Sequence, residues 1–320
     1  MIVSQIKKQS LSVIDHESQK NISAMLARFI LIVGFILVTD VHVANAVAES
    51  QVESIVLVRT VARKAPPKGE VAVGFAVARN GFSFSNWGGL TPDDALTFAN
   101  MSRLLGTMGT CLDDPSEPSC TLRNGQRLDL STINAYVANG RCEGMSVLAA
   151  HLFSKPADIA TFDSRATAAS ELTKDETAHE LAYVSMTQLL PEIRGFSGRT
   201  KFKKPYVIGQ EILFQMKLKR FVSLGIYGDG TGHSILPISV KYSPRSMIFS
   251  VYDPNFPNEV RTLTIDHLRD SWSYDKAVFA DGSVGPLEWT GSGRLDYVPV
   301  NLRFTGDLTS VPPKSSAKKR

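Results

Sequence analysis

The chain has 320 residues, of which 43% are hydrophobic and 21% are charged, and its formal net charge is +4 at pH 7. These fractions are ordinary for a globular protein. The positive charge includes a basic tail at 314–320, and no interleaving of basic and aromatic residues accompanies it, so we expect no nucleic-acid partner.

Residues 1–46 are predicted to be a signal peptide. An unbroken apolar run at 29–38 follows Arg28 and precedes Ala44-Asn45-Ala46, a small-x-small cleavage signal. Such a run is shorter than the roughly 20 apolar residues that span a bilayer. Met25 makes a better signal start than Met1. We therefore expect an exported bacterial protein, periplasmic or extracellular, without stable membrane insertion after cleavage; an uncleaved anchor is the alternative.

After the signal comes a predicted N-terminal extension, 47–80, with weak strands at 53–61 and 70–78. A helix is predicted at 91–105, because Thr91 can cap it and Pro92 suits its first turn. A short helix is predicted at 129–137, ahead of a helix that begins near Cys142.

The three cysteines divide into a pair and a single residue. Cys111 and Cys120 bracket a polar, proline-bearing loop, and exported proteins tend to oxidise their thiols, so we predict a disulfide between them. Cys142 is then a free thiol, which in an exported protein indicates intermolecular pairing or function. No Cys-x-x-Cys occurs and the histidines are scattered, so neither a metal nor a cofactor is expected.

Helical patterns continue at about 165–190 and 207–218. From Arg220 the pattern changes to strands separated by turns, at 221–227, 233–242, 247–252, 260–265 and 295–304. Helices followed by a mostly antiparallel sheet predict an α+β fold. We assign one domain to 81–305 and a disordered basic tail to 306–320.

Cys142 is the candidate nucleophile. It precedes an apolar helical run, and a helix N-terminus stabilises the negative charge of a thiolate. The candidate base is His233, which follows a glycine-rich turn at the start of a strand. His151 is nine positions after Cys142 and therefore on the opposite face of that helix. Asp253 ends the next strand and can orient the imidazole; Asn255 is the alternative orienting residue.

These blocks resemble the papain-like cysteine peptidase superfamily. Gly232-His233-Ser-Ile-Leu-Pro and Val251-Tyr-Asp-Pro-Asn255 are similar to the histidine strand and Asp-Pro block of bacteriocin-processing-type peptidases, and the set is also similar to exported bacterial papain-like proteins. The resemblance covers about 80–275. It implies a cysteine-headed helix packed on an antiparallel sheet, and a peptidase that attacks a peptide or protein substrate through a thioester.

The chain also departs from that family. Papain-like enzymes carry a glutamine oxyanion donor six residues before the cysteine, where this chain has Tyr136; Asn134 and Asn139 are the candidate substitutes. Glu143 opposes a neighbouring thiolate, and we expect Arg141 to offset its charge. The alternatives are therefore a catalytically degenerate binding protein, or an amidase or transglutaminase-like acyl transferase.

Overall fold

The computed structural model describes residues 68–106, 110–113, 119–123, 125–228, 231–278, 282–290 and 295–304. They belong to one compact unit, 64–320. The predicted signal peptide, the strand at 53–61 and the basic tail lie outside the described residues.

The helices precede most of the sheet in the chain, as predicted. In chain order they are α1 Val77–Asn80, α2 Phe98–Leu105, α3 Leu130–Ala138, α4 Cys142–Ser154, α5 Lys174–Ser185, α6 Pro191–Thr200 and α7 Pro205–Lys217. Side chains fix several of the starts: the Asp129 carboxylate accepts the first N–H groups of α3, and Thr173 and Glu176 form a capping box on α5. Helix α4 is buried from Gly144 to Leu152 and forms the centre of the helical layer.

The main sheet is antiparallel. Its strands are β1 Gly69–Ala72, β4 Val222–Gly228, β5 Thr231–Tyr242, β6 Ser246–Tyr252, β7 Val260–Asp266, β8 Ser271–Val278, β9 Val284–Thr290 and β10 Leu295–Pro299. Their order is β10-β4-β5-β6-β7-β8-β9, and β1 pairs with the second half of β5. Two further strands, β2 Ser119–Thr121 and β3 Arg127–Asp129, form a separate hairpin. The fold is α+β.

Several predicted boundaries were wrong. The helix expected from residue 91 begins at Phe98, because the Asp94 carboxylate accepts the Thr91 N–H in a turn and Thr97 caps the helix instead. The helix at 165–190 is α only over α5, with 3₁₀ turns at Ala169–Glu171 and Met186–Leu189. The strand at 295–304 ends at Pro299, where a 3₁₀ turn, Val300–Arg303, begins.

The first strand belongs to the main sheet. The strand predicted at 70–78 ends at Ala72, but β1 pairs with β5, and Val73, Phe75 and Val77 after it are buried in the core. Residues 69–80, which the sequence placed in the extension, therefore pack with the domain that we assigned to 81–305.

A disulfide joins Cys111 to Cys120, whose Cα atoms are 5.6 Å apart, as predicted. In the segments that the structure describes, no helix combines the length and the apolar character needed to cross a bilayer.

Candidate active site

Cys142 is the first residue of α4 and the free cysteine of the chain, with a partly exposed side chain. Two glycines shape its setting. Gly140 has φ +148°, a backbone conformation that favours glycine. A Cβ on Gly144 would lie 2.1 Å from the Leu181 carbonyl oxygen, so only glycine lets α4 approach α5 this closely. The sequence thereby sets the thiol at a fixed helix start, where the first N–H groups lack intrahelical acceptors.

His233 lies on β5, opposite Ile226 of β4, and its side chain is 14% exposed. Its Nε2 is 2.6 Å from Asp253 Oδ1, and the Cys142 side chain lies close enough to raise the pKa of the ring. Cys142 and His233 line one cavity of about 1400 Å³.

Asp253 follows β6 directly and is fully buried. Its carboxylate accepts hydrogen bonds from three groups: His233, the Tyr274 hydroxyl of β8 and the Asn255 N–H, the last at 2.7 Å. The Asn255 side chain has another partner, because its Oδ1 accepts a hydrogen bond from Asn86 at 3.1 Å. Of the two orienting residues considered from the sequence, the structure therefore brings Asp253 to the imidazole.

The charges of this group support one another. Burial disfavours the imidazolium, but the negative charges of Asp253 and Cys142 and their hydrogen bonds hold the pKa of His233 well above its usual value. Burial likewise disfavours the Asp253 carboxylate, but the His233 charge and the hydrogen bonds from His233, Tyr274 and Asn255 lower its pKa. At neutral pH the arrangement favours an imidazolium held between a carboxylate and the thiol.

Glu143 is neutralised by a residue that the sequence did not single out. Its Oε1 accepts hydrogen bonds from the Arg303 guanidinium and, at 3.1 Å, from Ser223. Arg303 is 2% exposed and also donates to Thr187. The expectation that Arg141 offsets Glu143 was wrong, since Arg141 points away to another acid.

Arg141 anchors the start of α4. Its buried guanidinium pairs with Asp94, donates to the Trp87 and Gly89 carbonyls, and lies 4.5 Å from the Trp87 ring centroid. Its backbone N–H donates to Asn86 Oδ1 at 2.7 Å. This residue therefore positions the helix that carries the thiol.

The structure separates the two oxyanion candidates. Asn134 does not line the cavity, because its amide is hydrogen-bonded to the backbone N–H and C=O of Leu96. Asn139, at the end of α3, does line it, and so does Tyr136. Tyr136 lies within electrostatic reach of Cys142 and donates its hydroxyl to Gln188. A second oxyanion donor, beside the Cys142 N–H, can therefore come from Asn139, since the single hydroxyl proton of Tyr136 is donated to Gln188.

The remaining described histidines have structural roles. His151 is 5% exposed and bonded to Asp158, and His267 stacks on Tyr206 with ring centroids 3.6 Å apart. Neither lines the cavity, and nor does His179. Within the described ranges, no cluster of histidine, cysteine and acidic residues has the makings of a metal site.

The site residues that the sequence missed come from distant segments: Asn86, Ser223, Tyr274 and Arg303. Each of them contributes through a contact with a residue that is distant in the sequence, so the neighbouring sequence does not indicate its role.

Comparison with known proteins returns no match, since no family model, no curated protein and no solved structure is similar to this chain.

Proposed function

We propose that the chain is an exported papain-like cysteine hydrolase that acts as a peptidase. The observation that carries this proposal is that Cys142 and His233 line one cavity, while the fully buried Asp253 is hydrogen-bonded to His233. A nucleophile, a base hydrogen-bonded to it and an acid that orients the base are the parts that covalent acyl transfer requires.

In the proposed reaction, the Cys142 thiolate attacks the carbonyl carbon of a peptide bond. The Cys142 N–H and a second cavity donor stabilise the oxyanion. The His233 imidazolium then protonates the leaving amine, and a thioester remains. His233 next takes a proton from water, whose oxygen attacks the thioester, and the acid product leaves as the thiolate is restored. Asp253 and Tyr274 keep the imidazole in place throughout.

Three further features support the proposal. The cavity of about 1400 Å³ exceeds the roughly 300–1,000 Å³ of pockets for small ligands, which favours a peptide or protein substrate over a small amide. The Cys111–Cys120 disulfide is compatible with export to an oxidising compartment. The pairing of Glu143 with Arg303 also removes one argument for a degenerate binding protein.

Thiol labelling tests the dyad directly, because Cys142 is the free cysteine. An ordinary thiol with a pKa of about 8.5 is roughly 0.3% ionised at pH 6. We expect iodoacetamide to label the folded protein readily at pH 6, and His233→Ala to slow this labelling by roughly 10- to 100-fold, since the variant loses the imidazolium that stabilises the thiolate. His267→Ala is the matched control and should label like the wild type.

Hydrolysis of a peptide library provides the second measurement. Cleavage that is lost in Cys142→Ser and reduced by roughly 10²–10⁴-fold in Asp253→Asn supports the peptidase. Labelling that is indifferent to His233 would remove the mechanism, whereas normal labelling without cleavage of any peptide would point to an amidase or acyl transferase.

A further inference from the structure

The cavity extends from Cys142 along α6 to a buried carboxylate, Asp296 of β10. Asp296 is 6% exposed, yet it belongs to the cavity lining together with Ser197, Lys201 and Tyr227. Tyr136 lies within electrostatic reach of both Cys142 and Asp296, so this wall and the thiol belong to the same region of the cavity.

The chain makes specific room for this carboxylate. Asp296 lies opposite Gly225 in the pairing of β10 with β4. A Cβ on Gly225 would lie 2.1 Å from Asp296 Oδ1, so any other residue there would displace the carboxylate. The Ser197 hydroxyl donates to Oδ2, and the Tyr227 hydroxyl lies 3.1 and 3.2 Å from the two oxygens.

These partners are neutral, so the charge of Asp296 has no counter-ion in contact. Within the part of the chain that the structure describes, no cationic nitrogen lies within 4.0 Å of the Asp296 carboxylate. The exposed Lys201 places its ammonium 4.8 Å from the centroid of the Tyr227 ring instead. Burial, with a smaller contribution from the negative charge of Glu143, raises the pKa of Asp296, although its two hydroxyl partners and the more distant positive charge of Lys201 oppose the shift. Buried charges are normally paired, so a carboxylate in a cavity wall without a cation in direct contact is a suitable partner for a ligand of opposite charge.

We propose that Asp296, with Ser197 and Tyr227, is a subsite for a cationic group of the substrate, an ammonium or guanidinium near the bond that Cys142 attacks. The subsite rests on the proposed function for its link to cleavage, but not for binding itself. A bound cation would approach the free side of the carboxylate and complete its hydrogen bonding, as a charge-assisted pair. The two sources of such a cation are a basic side chain and a free amino terminus.

The test uses the full chain with Cys142→Ala, so that binding is measured without turnover. Four peptides serve as probes: acetylated peptides that differ only by lysine or norleucine, and their counterparts with free amino termini. We expect the cationic peptides to bind roughly tenfold more tightly than acetyl-norleucine in calorimetry, and Asp296→Asn to abolish the difference. A preference for lysine identifies a side-chain site, and a preference for the free amine identifies an amino-terminal site.

Ser197→Ala provides the second variant, because it removes one hydroxyl partner and leaves the carboxylate. It should weaken the preference for cations without abolishing it, and it provides a measurement even if Asp296→Asn proves poorly folded. In cleavage assays on the wild type, the same preference should appear in kcat/KM. Equal binding of charged and neutral peptides would overturn the subsite while leaving a measured peptidase activity intact. A cation preference without any cleavage would support the subsite and remove the peptidase.

Discussion

At the scale of single residues, the electrostatic environment of Cys142 depends on the positive charge of Arg303, a residue near the end of the described chain. Glu143 follows the thiol directly, and an unpaired carboxylate there would oppose a thiolate. Arg303 is separated from Glu143 by 160 positions, and its buried guanidinium pairs with that carboxylate. We infer that Arg303 is a positioning residue, which acts on the thiol through Glu143.

Arg303→Met should therefore slow both iodoacetamide labelling at pH 6 and peptide cleavage by roughly 10- to 100-fold, because it leaves Glu143 uncompensated beside the thiol. Removing one partner of a buried pair should also lower the free energy of unfolding by about 3 kcal/mol. Labelling kinetics and urea denaturation measure the two effects.

The double variant Glu143→Gln with Arg303→Met separates charge from structure. It should recover most of the labelling rate, since no unpaired carboxylate remains near the thiol. Arg269→Met is the matched control, because the Arg269 side chain is 82% exposed. A folded Arg303→Met variant that labels at the wild-type rate would show that Arg303 has no influence on Cys142.

At the scale of secondary structure, local signals predicted part of the fold and tertiary contacts decided the rest. The short helix predicted at 129–137 and the apolar run after Cys142 correspond to α3 and α4. Helix α6 was missed because Gly195 and Gly198 are typical of a loop. In the structure the segment is helical, and Ile193 and Thr200 are buried. Strands β8 and β9 were missed as well, since Asp275-Lys276 and Gly285-Pro286 interrupt their patterns.

The residues of the site divide in the same way, into those with a local sequence signal and those placed by tertiary contacts. Cys142, His233 and Asp253 could be predicted because each has a local signature: a helix start, a glycine turn before a strand and a strand end. Arg303, Asn86 and Tyr274 could not, because their partners are distant in sequence and the contacts form only when the sheet and helices pack. Asn134 was a wrong candidate for the oxyanion donor, because its amide is hydrogen-bonded to Leu96.

Helix α5 carries a buried glutamate, Glu180, whose ionisation lowers the stability of the fold as the pH rises. Glu180 is 7% exposed, and burial raises its pKa from 4.5 to about 7, although the charge of Arg103 opposes the shift. The folded state therefore binds more protons than the unfolded state between about pH 4.5 and 7, so this residue lowers stability as the pH rises through that window.

Glu180→Gln should remove this dependence. The variant should be more stable than the wild type by about 1–3 kcal/mol at pH 8, and the two should converge near pH 4. Urea denaturation across pH 4–8 measures the difference. Glu70→Gln, at an exposed position on β1, is the control and should leave the slope unchanged. Parallel curves for Glu180→Gln and the wild type would contradict this account of the helix.

At the scale of the whole molecule, the site is assembled from two layers. The helical layer carries Cys142, and the sheet carries His233 and the acid. Asn86 connects them: its Oδ1 accepts the Arg141 N–H, its Nδ2 donates to Asn255 Oδ1 at 3.1 Å, and its own N–H donates to the Pro254 carbonyl at 2.7 Å. One side chain therefore fixes the thiol's helix relative to the block that contains Asp253.

Asn86→Ala should loosen this alignment. Because misplacement of catalytic groups slows chemistry more than it weakens binding, we expect kcat to fall by roughly 10- to 100-fold while KM changes by less than about threefold. The lost side-chain hydrogen bonds should lower the free energy of unfolding by about 1–3 kcal/mol. Steady-state kinetics and denaturation provide both measurements.

Asn86→Asp and Asn255→Ala both remove the bond between the two amides and leave an acceptor for the Arg141 N–H. The aspartate retains an acceptor for the Arg141 N–H but loses the donor to Asn255, and Asn255→Ala removes the same bond from the other side. If the bond between the two amides links the layers, each change should reduce kcat, and combining them should add little beyond the larger single effect. Fully additive losses, or a fall in stability without a fall in kcat, would show that Asn86 supports the fold alone and that the layers align without it.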